Sequence, residues 1–112
     1  MLLRVDVDEG ESRTLVTAIG EIDASTADSV ADAISGALGS GQKRVLLDFA
    51  QVTFIDSTGL GMLVGAHRAA EAASARFAVV HPTPPTLKLI RVLGLDQLLH
   101  VYDNPEQALA AE

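Results

Sequence analysis

Cysteine and tryptophan are absent from the sequence, and its only aromatic residues are three phenylalanines and one tyrosine. Without cysteine the chain can have no disulfide framework, no thiolate nucleophile and no cysteine-ligated zinc. Its stability must therefore come from the packing of apolar side chains, and a reducing compartment suits such a chain. Four aromatic rings also offer little surface on which nucleic-acid bases can stack.

Basic residues are scarce as well, with eight against fifteen acidic ones and a formal net charge of -7. A chain with this charge repels phosphate backbones and anionic lipid surfaces. Neither nucleic acid nor a membrane is therefore predicted as a partner.

Long apolar runs are also missing, since no stretch approaches the roughly 18 residues that span a bilayer. The N-terminus alternates apolar and charged residues over Leu3–Asp8, whereas a secretory signal needs a basic start and an unbroken apolar run. We therefore expect a cytoplasmic protein.

The residues that are present suit one domain spanning 1–112, because 48% of them are apolar and can fill a single core. Period-two alternation and short apolar runs predict strands, while recurrence every three or four residues predicts helices. The predicted strands are Leu3–Val7, Thr14–Ile19, Arg44–Asp48, Arg76–Val80 and Leu98–Tyr102. The predicted helices begin near Ala24, at Asp56 or Ser57, at Thr86 and at Glu106. Gly20–Asp23 and Gln51–Ile55 are predicted to be loops. This order predicts an α/β fold with a mixed or mostly parallel sheet of four to five strands, a central Arg44–Asp48 strand and about four helices.

The helix predicted over Ser57–Ala73 has two unlike faces. One face carries side chains suited to a core, namely Leu60, Leu63, His67 and Ala70. The other carries Ser57, Gly61, Gly65 and Arg68. A glycine inside a helix costs roughly 0.8–1.0 kcal/mol relative to alanine, so stability does not favour these glycines. Small residues on an exposed face would instead let a partner approach closely.

The start of this helix allows two interpretations. Asp56, Ser57 and Thr58 are all residue types that cap helices, so the cluster could be a plain N-cap. Glycines at 59, 61 and 65 favour an interface over a plain cap, because three glycines in the first turns weaken a helix.

The segments Val45–Asp48 and Val52–Gly61 together resemble the signature of the anti-sigma factor antagonists, the bacterial STAS domains. Gly20–Asp23 resembles the motif that lies in this family between the second strand and the first helix. Leu93–Tyr102 resembles its C-terminal pattern. These segments cover nearly the whole chain in the family's order.

The resemblance implies a partner switch that is not an enzyme, has no cofactor and is a monomer when free. Unphosphorylated, such a protein binds an anti-sigma factor that is also a serine kinase of the GHKL type, and a sigma factor is thereby released. The phosphoacceptor of the family falls on Ser57, and a PP2C-type phosphatase would restore the unmodified form. The partner-binding residues implied are Asp23, Asp56, Ser57, Thr58, Gly59, Gly61, Gly65 and Arg68. For Asp23, which is expected to flank the serine, capping of the following helix is an equally weighted alternative.

Other functions are less well supported. A serine hydrolase would need a base beside Ser57 and a nucleophile elbow, and the elbow motif is missing. The three histidines lack the close spacing of a metal-binding helix. Asp48 follows a central strand as a receiver phosphoacceptor would, but no lysine follows a late strand, so a role in a turn is expected. The remaining alternative shares the fold: an accessory or scaffold STAS subunit, in a stressosome, beside a transporter or sensing a small ligand, without kinase control.

Overall fold

The computed structural model describes residues 2–111 and contains five strands and four α-helices. The strands are β1 (Leu3–Glu9), β2 (Thr14–Ile22), β3 (Arg44–Ile55), β4 (Arg76–Val80) and β5 (His100–Tyr102). The helices are α1 (Ala27–Gly39), α2 (Ser57–Ala72), α3 (Pro84–Val92) and α4 (Pro105–Ala110), and a short 3₁₀ turn covers Leu95–Gln97. The chain therefore has the predicted α/β organisation.

The strands form one mixed sheet in the order β1-β2-β3-β4-β5. β1 runs antiparallel to β2, and all the other neighbouring pairs are parallel. The central position of β3 confirms the prediction made from its apolar run. Because β2 to β5 are parallel, the loops that follow them gather at one edge of the sheet, where ligands and partners of open α/β sheets commonly bind.

Alternate residues of the sheet face two apolar clusters, as the period of two requires. Val45, Leu47 and Phe49 of β3 belong to the larger cluster, which includes buried residues of α1, α2 and α3. Leu46 of β3 points to the opposite side and packs in a smaller cluster with Ala108 of α4. The sheet is thus covered by helices on both faces.

Two predicted loops are strand in the structure. β2 continues through Gly20 to Ile22, and β3 continues through Gln51 to Ile55. Gly20 lies at φ +121°, and a Cβ there would meet the backbone oxygen of Leu2, so only glycine lets the two strands stay this close. Register shifts in the β2–β3 ladder disturb the alternation of buried residues, and the sequence pattern therefore predicted loops.

The remaining boundaries differ less from those predicted. α3 begins two residues earlier than expected, with Pro84 in its first turn, where a missing N–H costs nothing. The last strand is limited to His100–Tyr102 because the 3₁₀ turn occupies residues before it. α4 begins at Pro105, one residue before the predicted start, and the side chain of its N-cap Asn104 accepts a hydrogen bond from the Gln107 N–H.

None of the helices formed within residues 2–111 is long and apolar enough to cross a membrane.

Candidate functional site

The site lies where β2 and β3 end side by side. Ile22 pairs with Ile55 in the parallel register, and the Asp56 N–H donates to the Ile22 carbonyl at 3.2 Å. The turn that begins at Asp23 and the start of α2 at Ser57 are therefore neighbours. This proximity agrees with the expectation that the Asp23 turn flanks the serine.

Asp56 is the N-cap of α2. Its backbone is extended, and its Oδ1 accepts a hydrogen bond from the Gly59 N–H at 3.0 Å, which satisfies one of the free donors of the first turn. The N-cap interpretation is thus correct for Asp56. It does not extend to the two residues that follow, since Ser57 and Thr58 lie inside the helix with exposed side chains.

The Ser57 hydroxyl has no hydrogen-bond partner among residues 2–111, and neither has that of Thr58. A free hydroxyl at the first turn of a helix stands next to N–H groups that point out of the helix and favour negative charge. The geometry thus presents an accessible oxygen where a phosphate group would be electrostatically tolerated.

The two faces of α2 are as predicted. Leu60, Leu63, His67 and Ala70 are buried, while Ser57, Gly61, Gly65 and Arg68 are exposed. Gly59, which the family resemblance implied as a partner-binding residue, is buried. A Cβ on it would lie 2.6 Å from Ile55 Cγ1 and 2.9 Å from Ile22 Cγ2, so this glycine is required by core packing and is not part of the exposed face.

A cleft of about 310 Å³ separates α1 from α2. Thr58, Met62 and Gly65 line it from α2, and small residues such as Ala27 and Ala31 line it from α1. Gly65 therefore opens onto this cleft, and a Cβ on either Gly61 or Gly65 would meet no atom of the described residues within 4 Å. Both glycines leave room that a partner could fill.

Asp23 stabilises its own turn and does not cap α1, so that alternative is wrong. Its Oδ1 accepts hydrogen bonds from the Ser25 N–H at 2.9 Å and from the Ser25 hydroxyl at 2.7 Å. The bond from the Ser25 hydroxyl holds the pKa of the Asp23 carboxyl below its usual value. The residue before α1 is Thr26, whose hydroxyl donates to the Glu21 carbonyl at 2.8 Å. Asp23 thus presents a fixed negative charge beside the start of α2.

Sequence reasoning missed Phe54, because it lay in a predicted loop. Phe54 is 52% exposed at the end of β3, three residues before Ser57. A large apolar side chain left in water beside a candidate site is an informative signal, and its position next to the serine motif was the available clue.

His67 and Asp48, which other functions would use, have different surroundings from Ser57. His67 is 5% exposed on the core side of α2, where its Nε2 lies 3.5 Å from Glu71 Oε1 and its ring centroid lies 5.5 Å from that of His100. It therefore points away from the face that carries Ser57. Asp48 accepts a hydrogen bond from the Ala50 N–H at 2.9 Å within β3, and so serves the local backbone.

The chain resembles known proteins over most of its length. An anti-sigma F factor antagonist from Paenibacillus polymyxa is 28% identical over 110 residues, which are 97% of this chain and 94% of that protein. The crystal structure of an anti-sigma factor antagonist from Mycobacterium paratuberculosis superposes with a TM-score of 0.86 at 27% identity, covering 98% of this chain and 93% of that one.

The phosphorylated form of SpoIIAA, a Bacillus cell fate determinant, superposes with a TM-score of 0.72 at 23% identity, and this likeness concerns the fold. It covers 96% of this chain and 98% of that one. The family model of the STAS domain matches residues 4–108, which include the sheet and the start of α2. The chain therefore belongs to the STAS domain family.

Proposed function

We propose that this chain is an anti-sigma factor antagonist whose binding is controlled by phosphorylation of Ser57. Unmodified, it binds an anti-sigma factor that is also a GHKL-type serine kinase, and a sigma factor is released. A PP2C-type phosphatase returns the modified chain to its binding form. The observation that carries the proposal is the exposed Ser57 hydroxyl, free of hydrogen bonds within residues 2–111, at the first turn of a helix with an exposed glycine face.

The local fold favours a serine that can be modified without unfolding. A phosphoserine carries roughly -1.5 to -2 charges at pH 7, and the N-terminus of α2 offers outward N–H groups and the positive end of the helix dipole. Ser57 is exposed, and no hydrogen bond within residues 2–111 depends on its hydroxyl. The modified chain is therefore expected to keep its fold.

Phosphate is nevertheless expected to weaken the complex. Asp56 already places a carboxylate next to Ser57, and Arg68, the cation on the same face, lies about 16 Å farther along the helix. That separation exceeds the Debye length of about 8 Å at physiological salt, so Arg68 does not neutralise the phosphate. A close interface would have to desolvate this added charge, which is unfavourable unless the partner pairs with it.

The proposed contact surface consists of Asp23, Asp56, Ser57, Thr58, Gly61, Gly65 and Arg68. Gly59 supports this surface from within the core. The matching of this chain over nearly its full length to an anti-sigma F factor antagonist supports the class of partner. The assignment of the acceptor rests on the geometry of Ser57, because the likeness to phosphorylated SpoIIAA concerns the fold.

The test uses purified chain, ATP and a GHKL-type anti-sigma factor from the same genome, with phosphate located by mass spectrometry and binding measured by calorimetry. We expect stoichiometric phosphate on Ser57 and loss of the complex. Ser57→Ala should fold, bind and stay unmodified, while Ser57→Asp should fold and bind at least tenfold more weakly, equivalent to about 1.4 kcal/mol.

Two variants serve as controls. Thr58→Ala should still be phosphorylated, since the neighbouring hydroxyl is not the acceptor. Ser12→Asp adds the same charge in the β1–β2 turn, at the opposite edge of the sheet, and should bind normally. Phosphate on Ser57→Ala would contradict the assignment, and a complex unaffected by phosphate would favour the accessory or scaffold role.

A further inference from the structure

Strand β3 extends beyond the end of its neighbour β4. It pairs with β2 as far as Ile55, but with β4 only over Arg44–Asp48. The segment 51–55 therefore has β2 on one side and, within residues 2–111, no strand on the other. We call residues 51–55 the β3 overhang.

Within residues 2–111, no strand pairs with the outer side of the β3 overhang, so backbone groups there are left unpaired. The Asp56 N–H points towards β2, since it donates to the Ile22 carbonyl. Backbone groups alternate between the two sides of a strand, so the Ile55 N–H and carbonyl turn to the opposite side. Such an edge is a template for adding a further strand, which is a common way of binding an extended peptide.

A groove lies beside this edge. It has a volume of about 320 Å³ and separates the β3 overhang from the start of α3, with Phe54, Thr83, Pro85 and Leu89 among its lining residues. Among the described residues, none that lines this groove is charged. The exposed Phe54 ring supplies an apolar contact in the groove. The chemistry thus matches an uncharged, extended segment that carries an apolar side chain.

The other long edge of the sheet has a different character. On β1, Arg4, Asp6 and Asp8 are exposed, and the Arg4 guanidinium pairs with the Asp6 carboxylate at 3.0 Å. Charges along an edge strand discourage the addition of another strand. The β3 overhang lacks this protection, so the two edges differ in their capacity for strand addition.

We propose that an extended, uncharged segment of the anti-sigma factor adds as a strand to the β3 overhang and places an apolar side chain against Phe54. This inference rests on the proposed function, and it names a second contact of the same partner. The β3 overhang ends two residues before Ser57, so one partner can reach both. A second copy of the chain is disfavoured because two molecules of charge -7 repel each other.

Amide hydrogen exchange measured by NMR on the full chain, with and without the anti-sigma factor kinase, tests this directly. In the complex, exchange at Ile55 and at the other outward amides of the β3 overhang should slow at least tenfold. The outward amides of β1 provide the matched control and should not change. A complex in which the β3 overhang stays unprotected, but which Ser57→Asp disrupts, would overturn this inference and leave the proposed function standing.

Absence of any complex with the unmodified chain would overturn both proposals. Slow exchange at the β3 overhang in the free chain, increasing with its concentration, would overturn the assignment to the partner in favour of a second copy.

A pair of variants tests the apolar contact. Phe54→Ser should weaken the complex about tenfold, as loss of a partly buried aromatic contact does. Val92→Ser removes a side chain of α3 that is 71% exposed and does not line the groove, and it should bind as the unchanged chain does. Equal affinity of Phe54→Ser and Val92→Ser would contradict the contact at Phe54.

Discussion

Helix α2 carries glycine on both of its faces, and the two faces have it for different reasons. Gly59 is buried, and its missing side chain makes room for Ile22 and Ile55 at the ends of two neighbouring strands. Gly61 and Gly65 are exposed, and a Cβ on either would meet no atom of residues 2–111 within 4 Å. The comparison teaches that one residue type in one helix can serve the fold at one position and leave surface free for a partner at another.

The largest effect on stability is expected from Gly59→Ala. Overpacking of a core costs about 1–3 kcal/mol, and a contact of 2.6 Å calls for the upper part of that range, about 2–3 kcal/mol, of which the higher helix propensity of alanine returns about 1 kcal/mol. The nearest atoms are Cγ atoms of two isoleucines, whose β-branched side chains have little freedom to move. We expect the free energy of unfolding to fall by about 1–2 kcal/mol in chemical denaturation. An unchanged denaturation midpoint for Gly59→Ala would contradict the conclusion that core packing requires glycine at this position.

Gly61→Ala and Gly65→Ala should change the free energy of unfolding in the opposite direction. Because each added methyl group enters open space, alanine should raise the free energy of unfolding by about 0.4–1 kcal/mol. The same methyl groups should weaken the complex with the anti-sigma factor about tenfold if the partner packs closely on this face. Denaturation and calorimetry on the same two proteins measure both effects. Higher stability together with unchanged affinity would exclude this face from the interface.

A smaller loss of stability is expected as the pH falls, and it comes from His100, whose ring lies near that of His67 on the buried side of α2. Burial lowers the pKa of His100, with Arg76 and His67 also lowering it and Glu71 raising it. A histidine with a lowered pKa binds fewer protons in the folded state than in the unfolded one, so stability is complete above the ordinary value near 6.5 and falls below it. The free energy of unfolding should therefore decrease between pH 7 and pH 5. His100→Gln should lessen this decrease, and an identical pH dependence in the variant would contradict the assignment.

Much of this arrangement follows from the sequence because its signals are local. An apolar run marks the bounds of β4, and a capping residue marks the start of α2. Both signals can be read from residues that are adjacent in the sequence. The faces of α2 follow from helical periodicity, and all four residues predicted for its core are buried. Local pattern was therefore sufficient to place Ser57 at the surface.

Contacts between distant segments leave no comparable local signal in the sequence. Gly59 looked like Gly61 and Gly65 because nothing near it in the chain shows that Ile22 packs against it. The sequence pattern predicts a loop at the β3 overhang because register shifts interrupt its alternation. The proximity of His67 to His100 likewise depends on how α2 packs on β4, the neighbour of β5 in the sheet. These features require the three-dimensional arrangement.

The freedom of the Ser57 hydroxyl from internal hydrogen bonds has a consequence for genetics. A substitution that removes the hydroxyl should leave cellular abundance unchanged, because no interaction within residues 2–111 is lost with it. If Ser57 is the proposed switch, substitutions that remove its hydroxyl without adding charge, such as Ser57→Ala, should be recovered as full-abundance, dominant alleles in a selection for constant antagonist activity. Substitutions of Gly59 should instead lower protein levels and behave as recessive losses of function. Dominance and abundance together would thus distinguish the residues of α2 that act in the proposed switch from those that support the fold.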